Sequence, residues 1–267
     1  MKYSYKENRE NILSHLSKYK KNILKITKNG IYIKEKREYS HILPKEIEIK
    51  NIIYSEYLMD LWDYVKRSNL KLHNDFHHLN SSQAFCFNLF YPIIMENELR
   101  MLLNTYEKIT DWDFEYIPDK IEKTNFDVFI KTKENNYYFE IKYLENNFPK
   151  QEVKDRKIER YHEIYENKLS IFKNVTPDVF FDNYQIFRNL SYIHKGIINF
   201  VFPKTRLDLD IQLKTILEKY CDKVLLEKIN IIYVEDILSR VSNNKKLIEY
   251  YKLFSEKYMD WTKANCV

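Results

Sequence analysis

Asp127 is followed thirteen positions later by Glu140, and Lys142 stands two residues beyond that. Two carboxylates and a lysine, brought together, are the parts needed to hold a divalent cation and set water against a phosphodiester. The segment that carries them, Thr124-Asn-Phe-Asp-Val-Phe-Ile-Lys-Thr-Lys-Glu-Asn-Asn-Tyr-Tyr-Phe-Glu-Ile-Lys-Tyr143, reads as two β-strands joined by turn residues.

The strands are expected at Phe126–Lys131 and Tyr137–Tyr143. Side chains alternate along a strand, so Phe126, Val128 and Ile130 share one face, and Phe139, Ile141 and Tyr143 do likewise. Asp127, Glu140 and Lys142 fall on the other faces. Their meeting depends on register. A four-residue loop at Lys133–Asn136 sets Asp127 opposite Lys142, with Glu140 diagonal to Asp127 and within reach of a shared ion. A two-residue Asn135–Asn136 turn keeps the faces but moves Glu140 too far away. A one-residue slip separates the acids altogether. On this pattern alone, a solvated hairpin face competes with a reaction centre, because 31% of the chain is charged.

Further blocks carry a resemblance. Tyr39-Ser-His-Ile-Leu-Pro44, Leu79-Asn-Ser-Ser-Gln-Ala-Phe-Cys-Phe-Asn-Leu-Phe90, Thr124-Asn-Phe-Asp127, Phe139-Glu-Ile-Lys-Tyr-Leu-Glu145 and Tyr184-Gln-Ile-Phe-Arg-Asn189 occur in this order. With them the chain resembles the PD-(D/E)XK nuclease superfamily, and within it a family of bacterial restriction endonucleases. The superfamily Pro-Asp is Phe126-Asp127 here. A literal Pro118-Asp119 precedes the strand and lies in a loop, so Asp127 is preferred.

The resemblance implies an α/β fold with a restriction-endonuclease-like mixed central sheet flanked by helices. It implies that Asp127 and Glu140 bind Mg²⁺, with Mn²⁺ as a substitute. Lys142 would then orient water or stabilise charge at phosphorus. Partial burial would lower the Lys142 pKa. A third acid is sought among Glu96 and Glu98, in an expected helix over Met95–Tyr106, and Glu115, in the strand-like Trp112–Tyr116. Glu115 is favoured, because a neighbouring strand holds a ligand more rigidly than a helix end; a plain surface carboxylate is the alternative for each. Gln185 and Arg188 are three apart on a helix expected beside the site. Arg188 would contact phosphate, and Gln185 would position water or the lysine; a partly buried amphipathic helix is the alternative. Gln83, behind the N-cap candidates Ser81 and Ser82, is given a supporting role. Glu145 is either support for the metal shell or solvated.

His73, Asp75, His77 and His78 invite a zinc reading, but no second ligand pair follows. The 2 glycines exclude a glycine-rich phosphate loop. The net charge of +5 permits a polyanion partner. Lys18–Lys25 is the densest basic run, Lys28, Lys34, Lys36 and Arg37 follow it, and Tyr19, Tyr32 and Tyr39 interleave with these charges; tracking of a phosphate backbone competes there with a solvated helix face. Cys86, Cys221 and Cys266 are too scattered for a disulfide scaffold, so a cytoplasmic location is expected. No apolar run approaches a membrane span.

Helices are expected at 5–28, 46–67, 81 onward, 152–172, 207–224 and 244–260, with further strands at 196–202 and 229–234. An N-terminal helical extension over 1–70 and a nuclease-like core over 71–267 is the simplest parsing. The leading expectation is a Mg²⁺-dependent endonuclease acting on double-stranded DNA, for restriction or defence. The alternatives are a catalytically silent DNA- or protein-binding module on the same fold, or a nuclease acting on RNA or branched DNA. Cutting both strands would suit a homodimer, or two successive nicks by a monomer.

Overall fold

The computed structural model describes residues 5–68, 70–119, 125–145, 147–151, 171–241 and 244–260. In chain order the elements begin with α1 (Tyr5–Asn22), β1 (Gly30–Tyr32), β2 (Arg37–Tyr39), α2 (Tyr57–Arg67) and α3 (Ser82–Met95). The strands β3 (Asp111–Tyr116), β4 (Phe126–Lys131) and β5 (Asn136–Ile141) follow. Then come α4 (Pro177–Asp182), α5 (Tyr184–Leu190), β6 (Ile197–Phe202), α6 (Leu207–Tyr220), α7 (Lys223–Leu226), β7 (Ile229–Tyr233), α8 (Val234–Ser239) and α9 (Lys245–Tyr258). The expected 152–172 helix lies almost wholly outside the described residues. Among the described residues, no helix is long and apolar enough to cross a membrane.

Two compact units result. Residues up to Lys108, with those from Glu235 onward, form the first; Ile109–Val234 forms the second. In the first unit α3 is the core helix, buried at every position from Gln83 to Ile94. Ser81 caps it by accepting from the Ala84 N–H, and it continues through Pro92. Asn88 anchors its middle: the side chain accepts from the Ile53 N–H and donates to Asn51 O, Ala84 O and Tyr258 Oη. Two expectations fail here. The 46–67 helix is a 3₁₀ turn, Lys45–Asn51, separated from α2 by non-helical residues; the Met95–Tyr106 helix is only a short 3₁₀ turn, Leu99–Met101.

The second unit is built on the expected mixed α/β sheet, in the order β3-β4-β5-β6-β7. The β3–β4 and β4–β5 pairs are antiparallel, whereas β5–β6 and β6–β7 are parallel. Parallel neighbours need crossovers. The first crossover carries α4 and α5, and the second carries α6 and α7. Ile186, Phe187 and Leu190 of α5, with Leu209 and Leu213 of α6, share one apolar core with Phe129, Tyr138, Ile198, Phe200 and Phe202 of the sheet. The face that bears Glu140 is therefore covered by helices. Gly196 opens β6, where an added Cβ would lie 2.3 Å from Asn136 O, so only glycine lets the two strands approach.

The β4–β5 turn sets the register. Thr132 Oγ1 accepts from the N–H groups of Glu134 and Asn135, and the Thr132 N–H donates to Asn135 O. The four-residue loop is thus Thr132–Asn135, one position earlier than expected. Lys131 pairs with Asn136 and Val128 with Phe139.

Candidate active site

One step beyond the Val128–Phe139 pair, Asp127 comes level with Glu140, not with Lys142 as the sequence suggested. The faces are the expected ones, because moving the loop by one residue shifts the pairing by two and keeps the parity. Asp127 reaches across to β5: the Ile141 N–H donates to its Oδ2 at 2.6 Å.

Glu140 is 4% exposed and lies at the centre of a polar cluster inside an apolar layer. Lys142 Nζ is 2.9 Å from its Oε1. Gln185 Nε2 donates to the same oxygen at 2.6 Å, and Asn189 Nδ2 donates to Oε2 at 3.0 Å. Both donors sit on α5, four residues apart and so on one face of the helix. With these three partners the carboxylate satisfies the rule that a buried polar group is hydrogen-bonded. The Gln185 Oε1 is buried and has no hydrogen-bond partner among the described residues.

Lys142 is 7% exposed. Burial opposes its charge, but Glu140, Glu145 and Asp127 outweigh it and raise the Lys142 pKa. The expected lowering is reversed, because the carboxylates around the amine outweigh desolvation. Its Nζ also lies 5.9 Å from the centre of the Phe148 ring.

The peptide after Lys142 is held at both ends. The Tyr143 N–H donates to Glu145 Oε2 at 2.8 Å, and Tyr143 O accepts from Arg206 Nη1 at 3.0 Å. Arg206 is buried, and its fork is fixed by Asp208 through Nε at 2.9 Å and Nη2 at 2.7 Å. Glu145 therefore supports the backbone beside the lysine and also acts electrostatically on it.

Glu115 lies level with Asp127 on the other side, between the pairs Phe114–Val128 and Tyr116–Phe126. Its φ of 54° is in the left-handed region, which interrupts the ladder at this position. A non-glycine residue there stores roughly 1–3 kcal/mol of strain, a feature that clusters at functional sites. The Asn125 amide donates to its Oε2. Burial pushes the Asp127 carboxyl well above the usual carboxylate range; Glu140 and then Glu115 add to this, against the pull of Lys142 and the Ile141 N–H. Burial first, and then the two neighbouring acids, thus work against a charge on Asp127. This oxygen donor set suits a hard divalent cation. Among the described residues no set of three or more His, Cys, Asp or Glu side chains is gathered as a metal cage. What fits is an ion on two carboxylates, with water and substrate oxygens completing its shell.

The remaining expected residues are elsewhere or differently used. Arg188 is on α5 with its guanidinium 5.6 Å from the centre of the Tyr184 ring. Gln83 belongs to the first unit, where it accepts from the His73 N–H and donates to Lys71 O. Glu96 is engaged there by Tyr57 and Asn244, and Glu98 by Arg100. His73 and His77 lie in a coil and a turn, so they do not share a helix face. Asn189 and Arg206 were not anticipated. Asn189 was discoverable from its i+4 spacing to Gln185; Arg206 left no local signal.

A family model described as "Restriction Endonuclease associating with ARP" matches residues 13–259. No curated protein and no solved structure gives a significant match.

Proposed function

Because the chain belongs to the family of restriction endonucleases associating with ARP, we propose that it is a Mg²⁺-dependent DNA endonuclease of the PD-(D/E)XK type, with Asp127, Glu140 and Lys142 as its reaction centre. The observation that carries the reading is the alignment of Asp127 with Glu140 on one sheet face, with the Lys142 ammonium 2.9 Å from Glu140.

Asp127 and Glu140 would hold the cation, with Glu115 as the candidate third acid. Mg²⁺ or Mn²⁺ supplies Lewis acidity at the scissile phosphate. The protein residues do the positioning. Gln185 and Asn189 fix the Glu140 carboxylate from the helix side. Lys142 stays protonated, so it serves as a donor toward charge developing on the phosphate, not as a general base. Gln185 Oε1, without a hydrogen-bond partner among the described residues, would accept a hydrogen bond from a water molecule and so orient it. Arg188, half-buried on α5, would contact a phosphate. The family description pairs these endonucleases with ARP, and this chain is expected in the same association.

Plasmid and linear duplex DNA incubated with and without Mg²⁺ test the reading. Wild type should nick or cut only with the metal, and Glu140→Ala should lose cleavage while remaining folded. Full activity of Glu140→Ala refutes the site.

One observation favours a second reading, a silent DNA- or protein-binding module: both oxygens of Glu140 are already engaged by protein donors. Calorimetry with Mn²⁺ separates the two. Binding that disappears in Asp127→Ala supports the nuclease, and no binding to wild type supports the module.

A further inference from the structure

Residues 18–39 hold eight cations, Lys18, Lys20, Lys21, Lys25, Lys28, Lys34, Lys36 and Arg37, and two acids, Glu35 and Glu38. Their net charge is +6, while the whole chain carries 44 − 39 = +5, so everything else sums to −1. An A/T-rich coding sequence would enrich lysine everywhere. It does not explain why eight of the 44 cations gather in this one segment, against two acids.

The fold ties the parts of this segment to one another. Lys20 is only 2% exposed, and its ammonium donates to Lys28 O at 3.0 Å, Asn29 Oδ1 at 2.9 Å and Ile42 O at 3.0 Å. It thus ties the end of α1 to the loop before β1 and to the residues after β2. The Ser17 and Ser40 hydroxyls meet at 2.8 Å, and the Gly30 N–H donates to Ile42 O. The other seven cations are exposed. Lys28 pairs with Glu46 at 3.1 Å, but side chains 75% and 65% exposed make such a pair weak and exchangeable. Glu35 is occupied by the Tyr39 hydroxyl. Ile31 and Ile33 stand exposed among the charges on the hairpin.

We propose that this face, formed by the end of α1, residues 23–29 and the β1–β2 hairpin, binds the phosphate backbone of duplex DNA. Six of its seven exposed cations are lysines, compact point charges that suit phosphates more than base edges. The surface therefore supplies affinity and not sequence readout. The choice of DNA rests on the endonuclease reading, whereas the preference for a polyanion rests on the charge distribution.

The test is fluorescence anisotropy on a 20-bp duplex, with the full chain in EDTA over a salt series. Two triple variants are compared with wild type: Lys18→Gln/Lys21→Gln/Lys25→Gln and Lys34→Gln/Lys36→Gln/Arg37→Gln. Each should lower the slope of log K against log salt by about 2–3, at roughly 0.9 per lost phosphate contact, with melting temperature unchanged. Slopes within about 0.5 of wild type for both variants overturn the proposal. So does tighter binding to anionic phosphatidylglycerol vesicles than to the duplex. Lost binding in the variants beside a wild type that never cleaves keeps this surface and discards the reaction centre. Unchanged slopes beside metal-dependent cleavage do the reverse.

Discussion

Asp127→Asn should make the protein more stable while abolishing cleavage. Asp127 stands level with Glu140 and Glu115 on adjoining strands. Directly opposed strand positions hold carboxylates about 5–7 Å apart. At an effective dielectric of about 20, like charges at about 6 Å repel by roughly 3 kcal/mol. Lys142 and the Ile141 N–H offset part of this, which leaves about 1–2 kcal/mol. Asparagine keeps an oxygen that can accept from Ile141 and removes the charge. The pH dependence follows from the raised Asp127 pKa. Folded protein binds this proton more tightly than unfolded chain, so wild type loses stability as pH rises from the unfolded value, about 3.9, through the folded one. The two proteins should melt alike near pH 4, and the variant should gain progressively above it, then level off. Thermal melts in EDTA from pH 4 to 9 would show a gap of about 2–4 °C per kcal/mol. Adding Mg²⁺ should stabilise wild type and narrow the gap. A variant that melts below wild type across the range, or a gap independent of pH, refutes the account of crowded charge.

Asn189→Leu should cost about 1.5–3 kcal/mol in urea unfolding, since it strips a donor from a buried carboxylate; Gln185→Leu should cost less, because Lys142 remains on the same oxygen. Arg206→Met should lower single-turnover cleavage with little change in DNA affinity, because it frees the Tyr143 carbonyl beside Lys142 and touches no surface; unchanged cleavage would separate that clamp from the reaction. In the first unit, burial holds His41 and His78 at a pKa of about 4. The unfolded chain takes up those protons first, so stability should fall as pH drops from about 6.5 to 4, by at most about 3 kcal/mol for each histidine and less where solvent screens it. His41→Gln/His78→Gln should flatten that fall in urea titrations at pH 7, 5.5 and 4.

Alternation and turn chemistry determined much from the sequence alone. They placed β4 and β5 within a residue or two and put Asp127 and Glu140 on the faces opposite Val128 and Phe139, leaving it to register whether those faces coincide. The Ser81 cap and the apolar run that ends at Pro203 were equally local signals. The pairing partner was not local: Thr132 closes the turn with its own hydroxyl, and so Asp127 meets Glu140 and not Lys142. Only packing decided that the acid-bearing face is covered. With α5 and α6 over it, the charges for which a solvated hairpin face was the competing reading are a buried, engaged pair. Arg206 acts on a carbonyl 63 residues earlier, and Lys142 keeps its proton because Glu140 and Glu145 beside it in the chain and Asp127 on the neighbouring strand outweigh its burial. Periodicity reports which way a side chain points; only tertiary contacts bring distant parts of the chain to the same point and fix the electrostatic field there.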